Sequence, residues 1–230
     1  MSDTRTNAGV DDISSVKKLH SWEVEGDRVI TIMTAGNLAT TQALISIVSE
    51  RLTHPKDGET TIMNAPTMFQ VAQIIGNTLR SIIMKANEQN GNESGSVFNA
   101  SIILGGQIKG MPPRLFMIYP EGNFIESSPD NPFFPIGETK YGRPIIVRAY
   151  DPDMNFEEAM KLFLVSFDST IKSNLSVGLP LDYQVYEVDS FKIEKTGRID
   201  GKNPYFREVS DNWGHALQAA FNELPEYKFN

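Results

Sequence analysis

The chain has 230 residues, enough for one large domain or two small ones with a core that needs no covalent staples. It has no cysteine and only three histidines, His20, His54 and His215, which excludes disulfides, thiolate metal sites and a cysteine nucleophile and argues against a histidine-built metal centre. A net charge of −8 without a long Lys/Arg run argues against a nucleic-acid partner, and no stretch nears the ~20 apolar residues of a membrane span.

The predicted elements come in pairs. "LHSWEVE" and "RVITIMTAG" alternate as strands around a turn at Glu25-Gly26-Asp27. "NLATTQALISIVSERL" places Thr41, Ile45, Val48 and Leu52 at helical spacing, until Pro55 and Gly58 break it. A second helix carries Met68, Val71, Ile75, Leu79, Ile82 and Ala86 on one stripe. "NEQNGNESGS" is a polar loop, followed by strands in "VFNASIILGG" and "PRLFMIYP" and a turn at Glu121-Gly122-Asn123 into "NFIE". A helix is expected near "YGRPIIVRAY", and a longer one begins at Asn155 with Glu158 completing a capping box and Phe156, Met160, Phe163, Phe167 and Ile171 in line. "YQVYEV" and "FKIEK" read as a last strand pair, and a C-terminal helix runs from near Asp211 to Leu224 with Trp213, Leu217, Ala220 and Leu224 aligned.

Strands that follow one another directly imply antiparallel pairing, and helices in blocks imply separate layers. The fold class expected is α+β, with two antiparallel sheets between helix layers, as a single domain over residues 1–230. No charged-then-apolar leader opens the chain, so a cytoplasmic location is expected, and the sequons at Asn92, Asn99 and Asn174 are taken as chance.

Several motifs have plain readings. "GGQIKG" at Gly105 to Gly110 lacks the lysine-hydroxyl pair and following helix of a phosphate loop, so a turn between strands is expected. "DPD" at Asp151 to Asp153 fits the electrostatics of a helix start, and the serines of "SSPDNP" have no Gly-x-Ser-x-Gly elbow. Three other segments carry more. "SDTRTNAG" places Asp3 and Arg5 at a strand end, with Lys18 further on. "MTAGN" at Met33 to Asn37 sets a glycine between a strand and a helix start, where backbone N–H groups can hold an oxyanion. "SNLSVG" at Ser173 to Gly178 offers two hydroxyls after a long helix, its plain reading being helix termination at Gly178.

In this order the three segments resemble a family. Asp-Thr-Arg-Thr-Asn-Ala-Gly is similar to the Asp-Ser-Arg-Ala-Thr-x-Gly segment of proteasome β-type peptidases, and "TAGNLATTQ" to their oxyanion-hole segment. "SIILGGQIKGMPPRLFMIYPEGNFI" resembles their paired strands. The likeness is strongest to the bacterial proteasome-like group called Anbu, the ancestral β-subunit group, where "SDSRTNAGVD", "LTAGNLATTQ" and "SNLSVGLP" occur almost as here. It extends over essentially the whole chain.

The resemblance implies the four-layer αββα sandwich of N-terminal nucleophile hydrolases. It implies hydrolysis of peptide or protein substrates by the hydroxyl of a first-residue Thr or Ser, whose free α-amine takes the proton with help from a lysine. It implies no metal or organic cofactor, no nucleic-acid or membrane partner, and self-association into rings or open helical stacks. By the same resemblance Asp3 is the acid that pairs with the catalytic lysine, Arg5 the arginine beside it, Lys18 that lysine with Lys17 as competitor, and Gly36 the oxyanion-hole glycine. Ser176 matches the serine beside the nucleophile's amine. Ser173 stands where proteasomes carry an aspartate and Glu138 where they carry a serine, so the proton relay departs from the family pattern.

No residue of this chain matches the nucleophile. A strand pair of the usual length would put it roughly 12–16 residues before Asp3. The chain is therefore expected to be inactive as written, its first strand either removed in cloning, omitted by a gene start set at an internal Met, or lost; the DNA preceding Met1 distinguishes these. Ser2, exposed as a first residue if Met1 were removed, is a disfavoured substitute because its side chain cannot easily reach back to Asp3, the next residue along the strand. A non-catalytic structural subunit and an N-terminal nucleophile amidase acting on a small molecule are the alternatives. Retention of an acid–lysine pair that costs desolvation favours catalysis.

Overall fold

The computed structural model describes residues 1–7, 13–89 and 97–229. The later part of the opening run (Ala8, Gly9), most of the polar loop and the Asn92 sequon therefore lie outside the described residues. Three short strands come first, β1 (Ser2–Asp3), β2 (Arg5–Asn7) and β3 (Ile13–Ser15). The long pair β4 (Leu19–Val24) and β5 (Arg28–Gly36) leads to α1 (Leu38–Thr53) and α2 (Met68–Gln89). Next are β6 (Ala100–Ile108), β7 (Arg114–Ile118) and β8 (Phe124–Glu126), then α3 (Arg143–Ala149) and α4 (Phe156–Ser173). The chain ends with β9 (Leu181–Val185), β10 (Lys195–Ile199) and α5 (Pro204–Asn222). The sheets run β1-β9-β10, β2-β3 and β4-β5-β6-β7-β8.

The chain forms two compact units. The first comprises Met1–Ser2, Ser15–Gly137 and Asp182–Gly197. Its five-stranded sheet is antiparallel throughout, with Leu19 opposite Met33, Gly36 opposite Ala100 and Leu104 opposite Phe116. Tight turns at positive-φ Gly26, Gly110 and Gly122 join β4 to β5, β6 to β7 and β7 to β8, while β5 and β6 pair across the connection that carries α1 and α2. One face buries Ile30, Ile32, Ile102, Leu104 and Phe116 against Leu44 and Val48 of α1 and Val71, Ile75 and Leu79 of α2. Each such side chain contributes about 1.5–3 kcal/mol of burial, so this sheet-on-helices core is the rigid support for the β5–α1 corner. Gly105 and Gly106 belong to β6 itself, hydrogen-bonded on both sides, so "GGQIKG" is strand plus turn and no phosphate cradle.

The second unit comprises Asp3–Ser14, Glu138–Leu181 and Arg198–Asn230. Helix α4 has the expected capping box: Asn155 Oδ1 accepts from the Glu158 N–H at 2.9 Å, and Glu158 Oε2 accepts from the Asn155 N–H at 3.0 Å. It ends at Ser173, where the Asn174 N–H reaches Thr170 O at 2.8 Å. Gly178 is therefore not the helix terminator expected from the sequence.

Three further expectations are corrected. The most buried positions of α4 are Leu162, Leu164, Ser166, Asp168 and Thr170, while Phe156 of the expected stripe is exposed. Small Ser166 and Thr170 let the Gly142 backbone at the start of α3 come close, and a Cβ there would lie 2.3 Å from Ser166 Oγ. The last strand is Lys195–Ile199 and not "FKIEK", because Asp189 and Phe191 take left-handed φ values of 64° and 48°. Buried Gln107 holds that bend, its Oε1 accepting the Asp189 N–H at 2.9 Å and its Nε2 donating to Asp189 Oδ1 at 2.7 Å. Helix α5 begins at Pro204, seven residues before the expected start, because Asn203 caps the Phe206 N–H at 2.9 Å and proline is well suited to the first helical position. It ends at Asn222, two residues before Leu224, and of the expected stripe Trp213 is half-buried while Leu217 is 51 % exposed.

Candidate functional site

Of the residues singled out in the sequence, Asp3, Arg5, Ser173 and Ser176 fall in the second unit, and Lys18 and Gly36 in the first. The opening segment is tied down strongly for so short a strand. Thr4 is fully buried and donates its hydroxyl to Pro180 O at 2.8 Å. Asp3 is also buried, and its Oδ2 accepts the Arg5 N–H at 3.1 Å. Arg5 turns its guanidinium onto the segment after α4, where Nη1 donates to Leu175 O at 3.0 Å. Gly178 leaves the space it needs: a Cβ there would sit 2.2 Å from the Arg5 Cζ. The "SDTR" and "SNLSVGLP" segments, 170 residues apart in sequence, are thus joined by Arg5, Thr4 and Gly178.

Ser176 lies in that second segment, and both its N–H and its hydroxyl donate to Asn174 Oδ1, at 2.9 and 2.8 Å. Asn174 in turn donates from Nδ2 to Glu138 Oε2 at 2.7 Å. The Glu138 carboxyl is held below the usual carboxylate range, chiefly by the Lys140 N–H, which reaches its Oε1 at 3.0 Å, with the Asn174 amide adding to the effect. Ser173 is not brought into this chain. Its hydroxyl donates to Ser169 O one turn back in α4, at 2.8 Å. Sequence reading noted Asn174 only as a sequon. The signal for its real role is an Asn one position past a helix end with a hydroxyl residue two further on, the spacing of an Asx turn.

In the first unit, Lys18 leads into β4. Its carbonyl accepts the Thr34 N–H of β5 at 3.0 Å, which fixes its backbone, and its side chain is half-buried. Lys17 is exposed, and its carbonyl meets the His20 ring at 3.0 Å. Gly36 ends β5 at φ +113°, and the Asn37 N–H bonds Asn99 O at 2.9 Å. Asn37 then caps α1 through Oδ1, on the Thr40 N–H at 2.9 Å. A Cβ on Gly36 would stand 2.4 Å from Asn99 O, so the corner admits only glycine. Ser2 is buried and its Oγ has no hydrogen-bond partner. Among the described residues there is no group of three or more His, Asp or Glu that could hold a metal ion.

The paired strands, helix blocks and glycine corner are those of a known class. The model of the proteasome subunit family matches residues 1–179. Three solved structures superpose with a TM-score of 0.89 over 99 % of this chain: Anbu from Yersinia bercovieri at 46 % identity, Anbu from Hyphomicrobium sp. strain MC1 at 47 %, and the helical assembly of the Anbu complex from Pseudomonas aeruginosa at 40 %. They are covered to 94, 94 and 92 % of their own lengths. No curated protein matches. The chain belongs to the proteasome subunit family, in its Anbu (ancestral β-subunit) group. The α+β, N-terminal nucleophile hydrolase fold class expected from the sequence follows from that membership. Among the described residues no helix is long and apolar enough to cross a membrane.

Proposed function

We propose that the protein is a subunit of a proteasome-like peptidase, one domain over residues 1–230, that hydrolyses peptide bonds in a full-length form whose first residue supplies a Thr or Ser hydroxyl. The observation that carries this reading is the binding of the opening segment onto the Ser176 segment by Arg5, in a chain of the Anbu group. In the proposed reaction the hydroxyl oxygen attacks the peptide carbonyl while its proton passes to the α-amine of the same residue. The Gly36 N–H holds the oxyanion. The leaving amine takes the proton, and water then cleaves the ester. Lys18 lowers the pKa of hydroxyl and amine by its charge, Asp3 balances that charge, and Arg5 keeps Asp3 and the Ser176 segment in register. No metal or organic cofactor enters this scheme.

The subunit is also proposed to self-associate in the cytoplasm. The exposed apolar residues Leu217 and Phe221 of α5 (Phe221 68 % exposed), with Leu224 just past its end, support association, as does the helical assembly of the P. aeruginosa relative. A non-catalytic structural subunit is the second reading, favoured by the one observation that the Ser173 hydroxyl is spent on Ser169 O.

The test expresses the protein together with any in-frame sequence encoded before Met1 that begins with Thr or Ser, and challenges the purified oligomer with a fluorogenic peptide library and a hydroxyl-directed β-lactone. Turnover together with an ester adduct by intact mass is expected. An oligomer that gives neither turnover nor adduct across the library refutes the peptidase reading and leaves the structural one.

A further inference from the structure

The second half of α5 and the residues after it lie in solvent on every side. Phe206 is buried and Trp213 half-buried, but every residue over 214–229 is exposed. Helical turns gain little from propensity in water; helices below about 12–15 residues are marginal there without packing, and Gly214 weakens this stretch further. Leu217 and Phe221 stand four residues apart on one side of it, and Leu224, Tyr227 and Phe229 follow, the last two 80 % and 92 % exposed. Among the described residues the segment's side-chain contacts are internal: Gln218 Nε2 donates to Asn222 Oδ1 at 3.1 Å, and the Tyr227 and Phe229 rings meet edge-on at 4.9 Å. Nothing so apolar is covered by its own chain there, so the stretch has the character of an interaction surface.

The first unit carries a groove of matching chemistry between α1 and α2. Its volume is about 540 Å³, within the roughly 300–1,000 Å³ of ligand-binding clefts. Ile47 of α1 and Ile74 and Ile82 of α2, all half-buried, make its apolar walls. Its charged lining residues are Arg51 and Lys85, and among the described residues no acid lines it. Arg51 is engaged, donating to Thr78 Oγ1 at 3.1 Å and facing Glu59 at 3.4 Å. Lys85 is exposed and has no ion-pair partner among the described residues. The C-terminal segment carries the opposite sign where its apolar residues lie: Glu223 and Glu226 flank Leu224, against one lysine, Lys228.

We propose that residues 214–229 of one copy dock in the α1–α2 groove of a second copy. This rests on the self-association reading above. Leu217 and Phe221 would seat against the three isoleucines, and Glu223 and Glu226 would face Lys85. The two surfaces differ, so the contact is heterologous: each copy offers one segment and one groove, and repetition closes a ring or winds an open stack.

Two substitutions in the full chain separate the surfaces. Phe221→Asp spoils the segment and leaves the groove intact. Ser81→Trp fills the groove from an exposed position of α2 and leaves the segment intact. In sedimentation velocity the parent should form large assemblies and each variant should lose them. A mixture of the two variants should form one contact per pair and stop, giving a species of twice the mass, because only one intact segment meets one intact groove. As a direct probe, a fluorescein-labelled peptide of residues 214–230 should bind Phe221→Asp, and should bind Ser81→Trp and Lys85→Glu at least about tenfold more weakly. Lys85→Glu changes only an exposed side chain, so it carries the groove arm if Ser81→Trp does not fold. Parent assemblies that keep their size in both variants overturn the docking while self-association stands, and so does a peptide that binds all three proteins alike or none. Assemblies lost in both variants with no doubled species in the mixture overturn it too. A parent that stays monomeric refutes the self-association reading itself, and the docking between copies with it.

Discussion

Replacing Gly36 by Ala tests the β5–α1 corner most directly. Two separable penalties act there. A side chain at φ +113° is strained by about 1–3 kcal/mol, whatever the space around it. The new Cβ also stands 2.4 Å from Asn99 O and 2.8 Å from Ala100 Cα, both backbone atoms of a hydrogen-bonded strand, which cannot swing away as a flexible side chain would. Forcing them apart adds about 1–3 kcal/mol. Gly58 is the control: its φ is +74°, but a Cβ there meets nothing within 4 Å, so Gly58→Ala carries strain alone. Urea unfolding should show Gly36→Ala destabilised by about 2–6 kcal/mol and Gly58→Ala by about 1–2 kcal/mol. At about 2–4 °C per kcal/mol for a chain of this size, a mid-range loss of about 4 kcal/mol lowers Tm by roughly 8–16 °C. In a full-length form that carries the nucleophile, the folded fraction of Gly36→Ala should also lose about 10²–10³-fold in peptide turnover on the proposed mechanism, in which the Gly36 N–H holds the oxyanion. Equal unfolding energies for the two variants, or a Gly36→Ala cost under about 0.5 kcal/mol, would refute the backbone-contact argument.

In a full-length form that carries the nucleophile, Lys18→Ala should reduce peptide turnover by about 10²–10⁴-fold with oligomer size unchanged, while Lys17→Ala, altering an exposed side chain, should leave turnover near the parent's; the reverse outcome would overturn the Lys18 assignment. Thr4→Val keeps shape but removes the hydroxyl that Pro180 O accepts at 2.8 Å, and should lower unfolding free energy by about 1–3 kcal/mol in urea titration, against no change if the opening segment were loosely attached. Burial lowers the pKa of His20, so on acidification the unfolded chain takes up its proton before the folded one. The stability this contributes is full above the ordinary histidine value of about 6.5 and is lost as pH falls from there through the depressed value. Tm measured at about pH 7.5 and pH 5.5 should fall less in His20→Gln than in the parent; equal falls would exclude His20 as a source.

The sequence by itself determined the local elements wherever one residue's chemistry decides them. The Asn155–Glu158 box starts α4 because both partners lie within one turn, and the glycines at 26 and 122 turn the chain because no other residue is comfortable at their φ. Alternation in "RVITIMTAG" and the stripe of Met68, Val71, Ile75 and Leu79 predicted the first unit's core, since each face is buried along its whole length. Motif order carried the family. Tertiary structure decided what depends on distant partners. "FKIEK" has strand composition, yet Gln107, 82 residues from Asp189, holds a left-handed bend there. The phenylalanine stripe of α4 has core spacing, yet the close approach of Gly142 selects small Ser166 and Thr170 for burial instead. Gly178 reads as a helix stop and serves as the seat of Arg5. Asn174 shows only a sequon until folding brings Glu138, 36 residues away, to its amide nitrogen. Propensity and periodicity act within a few residues, whereas a hydrogen bond's direction is set by whichever donor or acceptor the fold delivers.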